Sequence, residues 1–220
     1  MKKKIYSWMP KTRFLRMLMQ SPIGILGINW VFQGMRGMQQ KELGFRVLLE
    51  LVLLITISIF LPAVWGVFIK FLVSLFIAHS LNWFFNTHLW VCVRYFPVYR
   101  RNPKVLSSYL AKEEIYLQSL PWLNEAVCIG SVGDSGDISS ERSDIDLRLI
   151  FPSGIINWFR VNVLLLRLRF YALFLIIPLD LYAYDDIKAL DQFRQDEGMR
   201  VILDRQSCLS SRFVNRTHRD

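Results

Sequence analysis

The sequence predicts an α+β protein in which a small mixed-sheet domain is preceded by a two-helix transmembrane hairpin. Three observations predict it. Residues 47–69 form an apolar run whose only charge is Glu50, and after Lys70 a second run covers 71–96. Together they are too long for one crossing, since a spanning helix needs about 20 apolar residues. Farther on, Ile145, Leu147 and Leu149 alternate with Asp144, Asp146 and Arg148, the period of a strand. From residue 104 the pattern reads helix, strand, loop, strand, helix, strand, helix, strand. That is a domain of roughly a hundred residues, an ordinary size.

The elements follow in chain order. Between Lys2 and Arg46 there are nine Lys or Arg and one acid, Glu42. Trp8, Phe14, Leu15, Met17, Leu18, Trp30, Val31 and Phe32 are mixed among them, so residues 1–44 suit a basic amphipathic segment on the inner leaflet. No compact apolar core followed by small residues marks a signal peptide. Residues 45–96 hold the two membrane helices, 45–62 and 67–92, with Pro62 and Gly66 at the turn. His79, Asn82, Asn86 and His88, set among aromatics, place the end of the second helix near an interface or a partner. The nine-residue gap between the histidines and the lack of a third ligand favour packing over metal binding. Basic residues precede the first helix, and Arg94, Arg100, Arg101 and Lys104 follow the second, while the turn has only Lys70. The positive-inside rule then gives a multi-pass protein of a bacterial-type inner (plasma) membrane with both termini cytoplasmic.

Residues 104–206 carry the mixed-sheet domain. Helix 105–117 is followed by strands 125–129 and 144–151, helix 155–175, strand 177–184, helix 186–196 and a strand at 200–203. A polar tail, 207–220, closes the chain. Residues 155–177 are apolar enough to suggest a third crossing, but Arg160, Arg167 and Arg169 are each costly in mid-bilayer. A helix packed under the sheet with its arginines at the surface is expected instead, with Arg160 and Arg167 on one solvated face. Asp185 and Asp186 read as the cap and first turn of the next helix. The net charge is +9 and the mean hydropathy +0.28. Cys92, Cys128 and Cys208 have no metal or disulfide spacing, which suits a reducing compartment, and Cys128 falls in an apolar strand as a small core residue.

The chemistry concentrates in CIGSVGDSGDISSERSDIDLRLIF. On a strand, residues i and i+2 point to one face, so Asp144 and Asp146 project side by side. Two adjacent carboxylates repel unless a cation sits between them, and oxygen-only donors suit Mg²⁺. The Gly130-Ser131 turn offers backbone N–H groups and a hydroxyl, which suit a phosphate. This stretch resembles the nucleotidyltransferase superfamily typified by DNA polymerase beta, especially its minimal members. Their pattern is an apolar strand, Gly-Ser, a spacer of about this length, then Asp-apolar-Asp-apolar, met here by Gly130, Ser131, Asp144, Ile145, Asp146 and Leu147. A third carboxylate on a later strand matches Asp180, and the acidic-glycine turn and closing strand match residues 197–204. Where many members have a basic residue after Gly-Ser, this chain has Val132-Gly133-Asp134.

The resemblance implies an Mg²⁺-dependent enzyme, with two ions held by Asp144, Asp146 and Asp180 and an ATP-like nucleoside triphosphate gripped by Gly130 and Ser131. Attack of an acceptor hydroxyl on the α-phosphate would release pyrophosphate, with Asp180 as metal ligand or base. Membrane lipids and the NTP are the expected partners, and a lipid-linked glycan, a polysaccharide precursor or a protein the acceptor. The alternative is a catalytically silent nucleotide-binding scaffold or sensor in a membrane assembly. Nucleic acid is not expected, because the basic residues adjoin a membrane span and lipid headgroups are the simpler partner.

Overall fold

The computed structural model describes residues 11–33, 35, 38–86, 88–130, 141, 143–193, 198–213 and 217–218. Its helices are α1 (Arg13–Gln20), α2 (Pro22–Phe32), α3 (Gln40–Phe60), α4 (Val67–Phe85), α5 (His88–Val93), α6 (Pro103–Gln118), α7 (Ile155–Phe174) and α8 (Cys208–Arg212). The strands are β1 (Glu125–Ile129), β2 (Ile145–Ile150), β3 (Leu179–Tyr184), β4 (Met199–Asp204) and the short β5 (Thr217–His218). They form one mixed sheet in the order β3-β2-β1-β4-β5. β1 runs antiparallel to β2 and β4, β2 parallel to β3, and β4 parallel to β5. The parallel β2–β3 pair needs a crossover, and α7 supplies it.

Alternation along the strands gives the sheet two apolar faces. Ala126, Cys128, Ile145, Leu147, Leu149, Leu179, Leu181 and Ala183 pack under α6 and α7. Val127, Ile129, Ile150, Tyr182, Tyr184 and Met199 face the other way, against Leu190, Leu209 and Phe213. Each fully buried leucine contributes about 1.5–3 kcal/mol relative to exposure. α6 starts where Asn102 accepts a hydrogen bond from the Lys104 amide at 3.0 Å with Pro103 in the first helical turn.

α3 and α4 pack on each other, and both are long and apolar enough to cross a membrane. Their ends differ from the sequence expectation for local polar reasons. α3 starts at Gln40 rather than 45, because its polar first turn is bound to the sheet domain: Gln39 and Lys41 both donate to Asp185. α4 stops at Phe85 rather than 92. There Asn86 Nδ2 donates to the Asn82 carbonyl at 2.7 Å and to Asn82 Oδ1 at 2.8 Å. A side-chain amide that competes for helical carbonyls ends the helix. The histidines serve packing: His79 meets Glu50 at 2.9 Å and the Trp30 carbonyl at 2.8 Å, and His88 Nε2 meets Arg46 at 2.7 Å.

Residues 13–32 divide their roles. α1 is amphipathic, exposing Phe14, Leu15, Met17 and Leu18 beside Lys11, Arg13 and Arg16. α2 is a third helix laid against α4 and α5, where Trp83 Nε1 donates to Asn29 Oδ1 at 2.9 Å and Trp30 Nε1 to Ser80 Oγ at 3.2 Å. Trp8 lies outside the described residues.

The structure departs from several expectations in the sheet domain. Arg169 is buried rather than at the surface, because it has partners: Glu42 Oε1 at 2.6 Å, Asn86 Oδ1 at 3.0 Å and the Leu181 carbonyl at 2.5 Å. Arg167 is at the surface, as expected, with its side chain 43% exposed; there it donates to Glu113 at 3.0 Å and its guanidinium lies 3.5 Å from the Tyr116 ring centroid. The expected helix 186–196 is described as a 3₁₀ turn, Ile187–Gln192, whose one fully buried side chain is Leu190. Asp186 caps that turn, accepting from the Lys188 amide at 2.9 Å, whereas Asp185 ties to α3 and to Ser153. The chain end is more than a polar tail, since Leu209 and Phe213 are buried and residues 217–218 pair with β4.

Candidate functional site

The sheet register brings the acids together. β2 and β3 pair so that Asp146 stands beside Asp180, and β1 pairs with β2 so that Ile129 faces Asp146. Asp144 precedes β2 by one residue. Gly130 follows Ile129 with φ +79°, and a Cβ there would sit 3.1 Å from Asp146 Oδ2. Gly130, Asp146 and Asp180 therefore meet at one end of the sheet, on the face opposite α6 and α7. Ser131, Asp134, Asp137 and Glu197 lie outside the described residues.

Two arginines complete the arrangement, and neither belongs to the sequence-derived site. Arg94, just past α5, forms an ion pair with Asp144. Arg148, two residues after Asp146 on the same face of β2, donates to Asp180 Oδ2 at 2.9 Å and to the Asp180 carbonyl at 2.6 Å. It is only 4% exposed, with its guanidinium 4.9 Å from the Tyr182 ring centroid and 5.1 Å from that of Phe193. The alternation that places Asp144 and Asp146 on one face also places Arg148 there. Arg94 has no such signal, because its approach depends on how the hairpin docks.

Burial first, then the carboxylates of Asp144 and Asp180, pushes the Asp146 pKa well above the usual range, against the pull of Arg148 and Arg94. Burial disfavours charge on Arg148, but Asp180 and then Asp146 outweigh it and raise its pKa. Arg94 follows the same pattern, with Asp144 as its main partner.

The donor set fits Mg²⁺ in kind, being carboxylate oxygens beside a backbone turn. As the side chains stand, no group of three or more His, Cys, Asp or Glu among the described residues could hold one ion. The guanidiniums of Arg94 and Arg148 already hold Asp144 and Asp180. A divalent cation would compete with them for the same oxygens.

No family model matches the chain, and neither does a curated protein or a solved structure.

Gly130 tests the geometry directly. Gly130→Ala forces an L-residue into the left-handed region at a cost of about 1–2 kcal/mol. It also crowds the Asp146 carboxylate. Thermal unfolding should show a drop of a few degrees; an unchanged midpoint would remove Gly130 from the turn.

Proposed function

We propose that this chain is a membrane-anchored nucleotidyltransferase that moves a nucleoside monophosphate from an NTP to a hydroxyl acceptor at the cytoplasmic face of the membrane. The observation that carries the reading is the Asp146–Asp180 register pair, with Asp144 on the same strand face and the Gly130 turn against it. In this reading the carboxylates bind and orient, and Asp180 serves as metal ligand or as base for an acceptor hydroxyl. Arg148, fixed by Asp180, supplies positive charge beside the acids, in a chain that lacks the basic residue many family members have after Gly-Ser. Backbone N–H groups at a Gly-Ser turn suit a phosphate. Mg²⁺, when bound, supplies neutralisation of phosphate charge between the carboxylates and the nucleotide. The short α5, linking α4 to Arg94, keeps the acids close to the hairpin and favours an acceptor at the membrane surface.

A second reading, a catalytically silent nucleotide sensor, is favoured by one observation: Arg94 and Arg148 already neutralise two of the three carboxylates. Isothermal titration of the full-length protein with each NTP, with and without Mg²⁺, tests the shared core of both. Metal-dependent binding is expected in the parent and absent in Asp144→Asn/Asp146→Asn. Absence of any NTP binding, or binding indifferent to the double substitution, rejects the site. Pyrophosphate release with a membrane extract as acceptor source then separates transferase from sensor.

A further inference from the structure

We infer that α7 is an interfacial helix, lying in the plane of the membrane with its outer face in the headgroup–acyl boundary of the leaflet that α3 and α4 enter. The inference rests on the hairpin lying in a bilayer and is independent of the nucleotide chemistry. α7 has three distinct faces. Val161, Leu165, Leu168 and Ala172 pack on the sheet.

A second face meets the base of the hairpin. Trp158 stacks edge-on to Phe45 at 5.8 Å and donates to the Lys41 carbonyl at 2.8 Å, both near the start of α3. Arg169 reaches Glu42 and Asn86, and Phe170 stacks on Phe85 at 6.2 Å, where α4 ends. Eleven or twelve residues of helix, about 17 Å of rise, thus carry α7 from beneath α3 to beneath α4. A helix that runs across the base of a membrane hairpin, instead of along it, lies parallel to the bilayer surface.

The third face is uncovered and largely apolar, with exposed Arg160 and Arg167 along it. Ile156, Phe159, Val163, Phe170 and Phe174 recur at helical spacing and are between 46% and 68% exposed. A helix on a water-facing surface carries polar residues there, and contiguous apolar stripes mark an interaction surface. The stripe continues onto α4 through the Phe85–Phe170 stack, so the surface that covers α4 reaches α7 as well. Its charges point to an anionic lipid surface. α7 contains no Asp or Glu, and Arg160 is exposed beside the stripe. On α1 and just before it, Lys11, Arg13 and Arg16 likewise accompany exposed Phe14 and Met17. Amphipathic helices with basic flanks seat in this boundary, the long basic side chains reaching the headgroups. A second copy of the chain fits less well, because two-fold pairing of this face would bury Arg160 of both copies with no Asp or Glu on α7 to answer it. The consequence is that α7 lies between the leaflet and the sheet, with the acid cluster on the sheet face turned away from α7.

The test places an environment-sensitive fluorophore on single cysteines of the full-length protein carrying Cys208→Ser, with Cys92 and Cys128 left in the interior. The positions are Val163→Cys on α7, Ile55→Cys on α3 and Gln206→Cys beyond β4, on the sheet side away from the hairpin. The protein is reconstituted in phosphatidylcholine–phosphatidylglycerol nanodiscs with doxyl groups high or low on the acyl chain. Val163→Cys should lose most of its emission to the shallow quencher, Ile55→Cys should be quenched as well, and Gln206→Cys by neither quencher. If Ile55→Cys is quenched and Val163→Cys behaves like Gln206→Cys, the inference is overturned while the hairpin reading stands. If neither is quenched, the hairpin reading fails and takes the inference with it. A concentration-dependent shielding of Val163→Cys in detergent, without lipid quenching, identifies a second copy and also overturns it.

Discussion

Glu42→Gln is expected to lower the melting midpoint of the detergent-solubilised protein by about 10 °C, from a loss of about 3–5 kcal/mol. Glu42, Arg46 and Arg169 are all 4% exposed or less, and Glu42 pairs with both guanidiniums. Its Oε1 accepts from Arg46 Nε at 3.1 Å, Arg46 Nη2 at 2.7 Å and Arg169 Nη2 at 2.6 Å. A glutamine keeps the shape and an acceptor but leaves two buried cations facing each other. Arg169→Met also removes three hydrogen bonds, yet it leaves a neutral Glu42–Arg46 pair. Its expected cost is about 2 kcal/mol, that of unmade hydrogen bonds without an unpaired charge. Charge, not bond count, therefore sets the order, and the double variant Glu42→Gln/Arg169→Met should be more stable than Glu42→Gln alone. Equal destabilisation by the two single substitutions would show that the node is held by hydrogen bonds only. This node is also where the base of the hairpin meets β3, through the Leu181 carbonyl next to Asp180.

The parts of this fold legible in the sequence are those written in local periodicity. Alternation in 144–149 and 179–184 assigns each strand residue to its face, and the two apolar clusters follow that assignment. The length of helix 155–175 is legible for the same reason. Partnerships across long separations leave no such trace. Arg169 reads as a surface cation because an unpaired buried arginine is prohibitive, and its partner Glu42 lies 127 residues away. Arg94 reads only as a flanking positive charge. Nothing local says that α5 will break from α4 at Asn86 and carry Arg94 to Asp144. Arg148 is the intermediate case, since its place on the acid face follows from spacing while its partner, Asp180, follows from the parallel register of β2 and β3. The site's acids were thus open to sequence reasoning, and the cations that answer them were set by tertiary packing.

Glu125→Gln is expected to stabilise the protein in a way that grows with pH. Glu125 opens β1, is 2% exposed, and stands opposite Asp204 of β4. Its Oε1 is buried with no hydrogen-bond partner. Burial first, and then the Asp204 charge, pushes its pKa from 4.5 to about 7. The sign follows from linkage. Below about pH 4.5 the carboxyl is protonated in both folded and unfolded chains and costs nothing. Between about 4.5 and 7 the unfolded chain ionises freely while the folded one resists, so the native state loses stability as pH rises. Above about 7 the loss is complete, on the order of 1–3 kcal/mol. Glutamine cannot ionise, so the variant should match the parent near pH 4.5 and melt several degrees above it at pH 8. Carboxylates remote from Glu125 are common to both proteins, so their contribution cancels in the difference. An offset that is the same at both pH values would mean that Glu125 is not the titrating group, and a variant less stable at pH 8 would mean that its charge has a favourable partner.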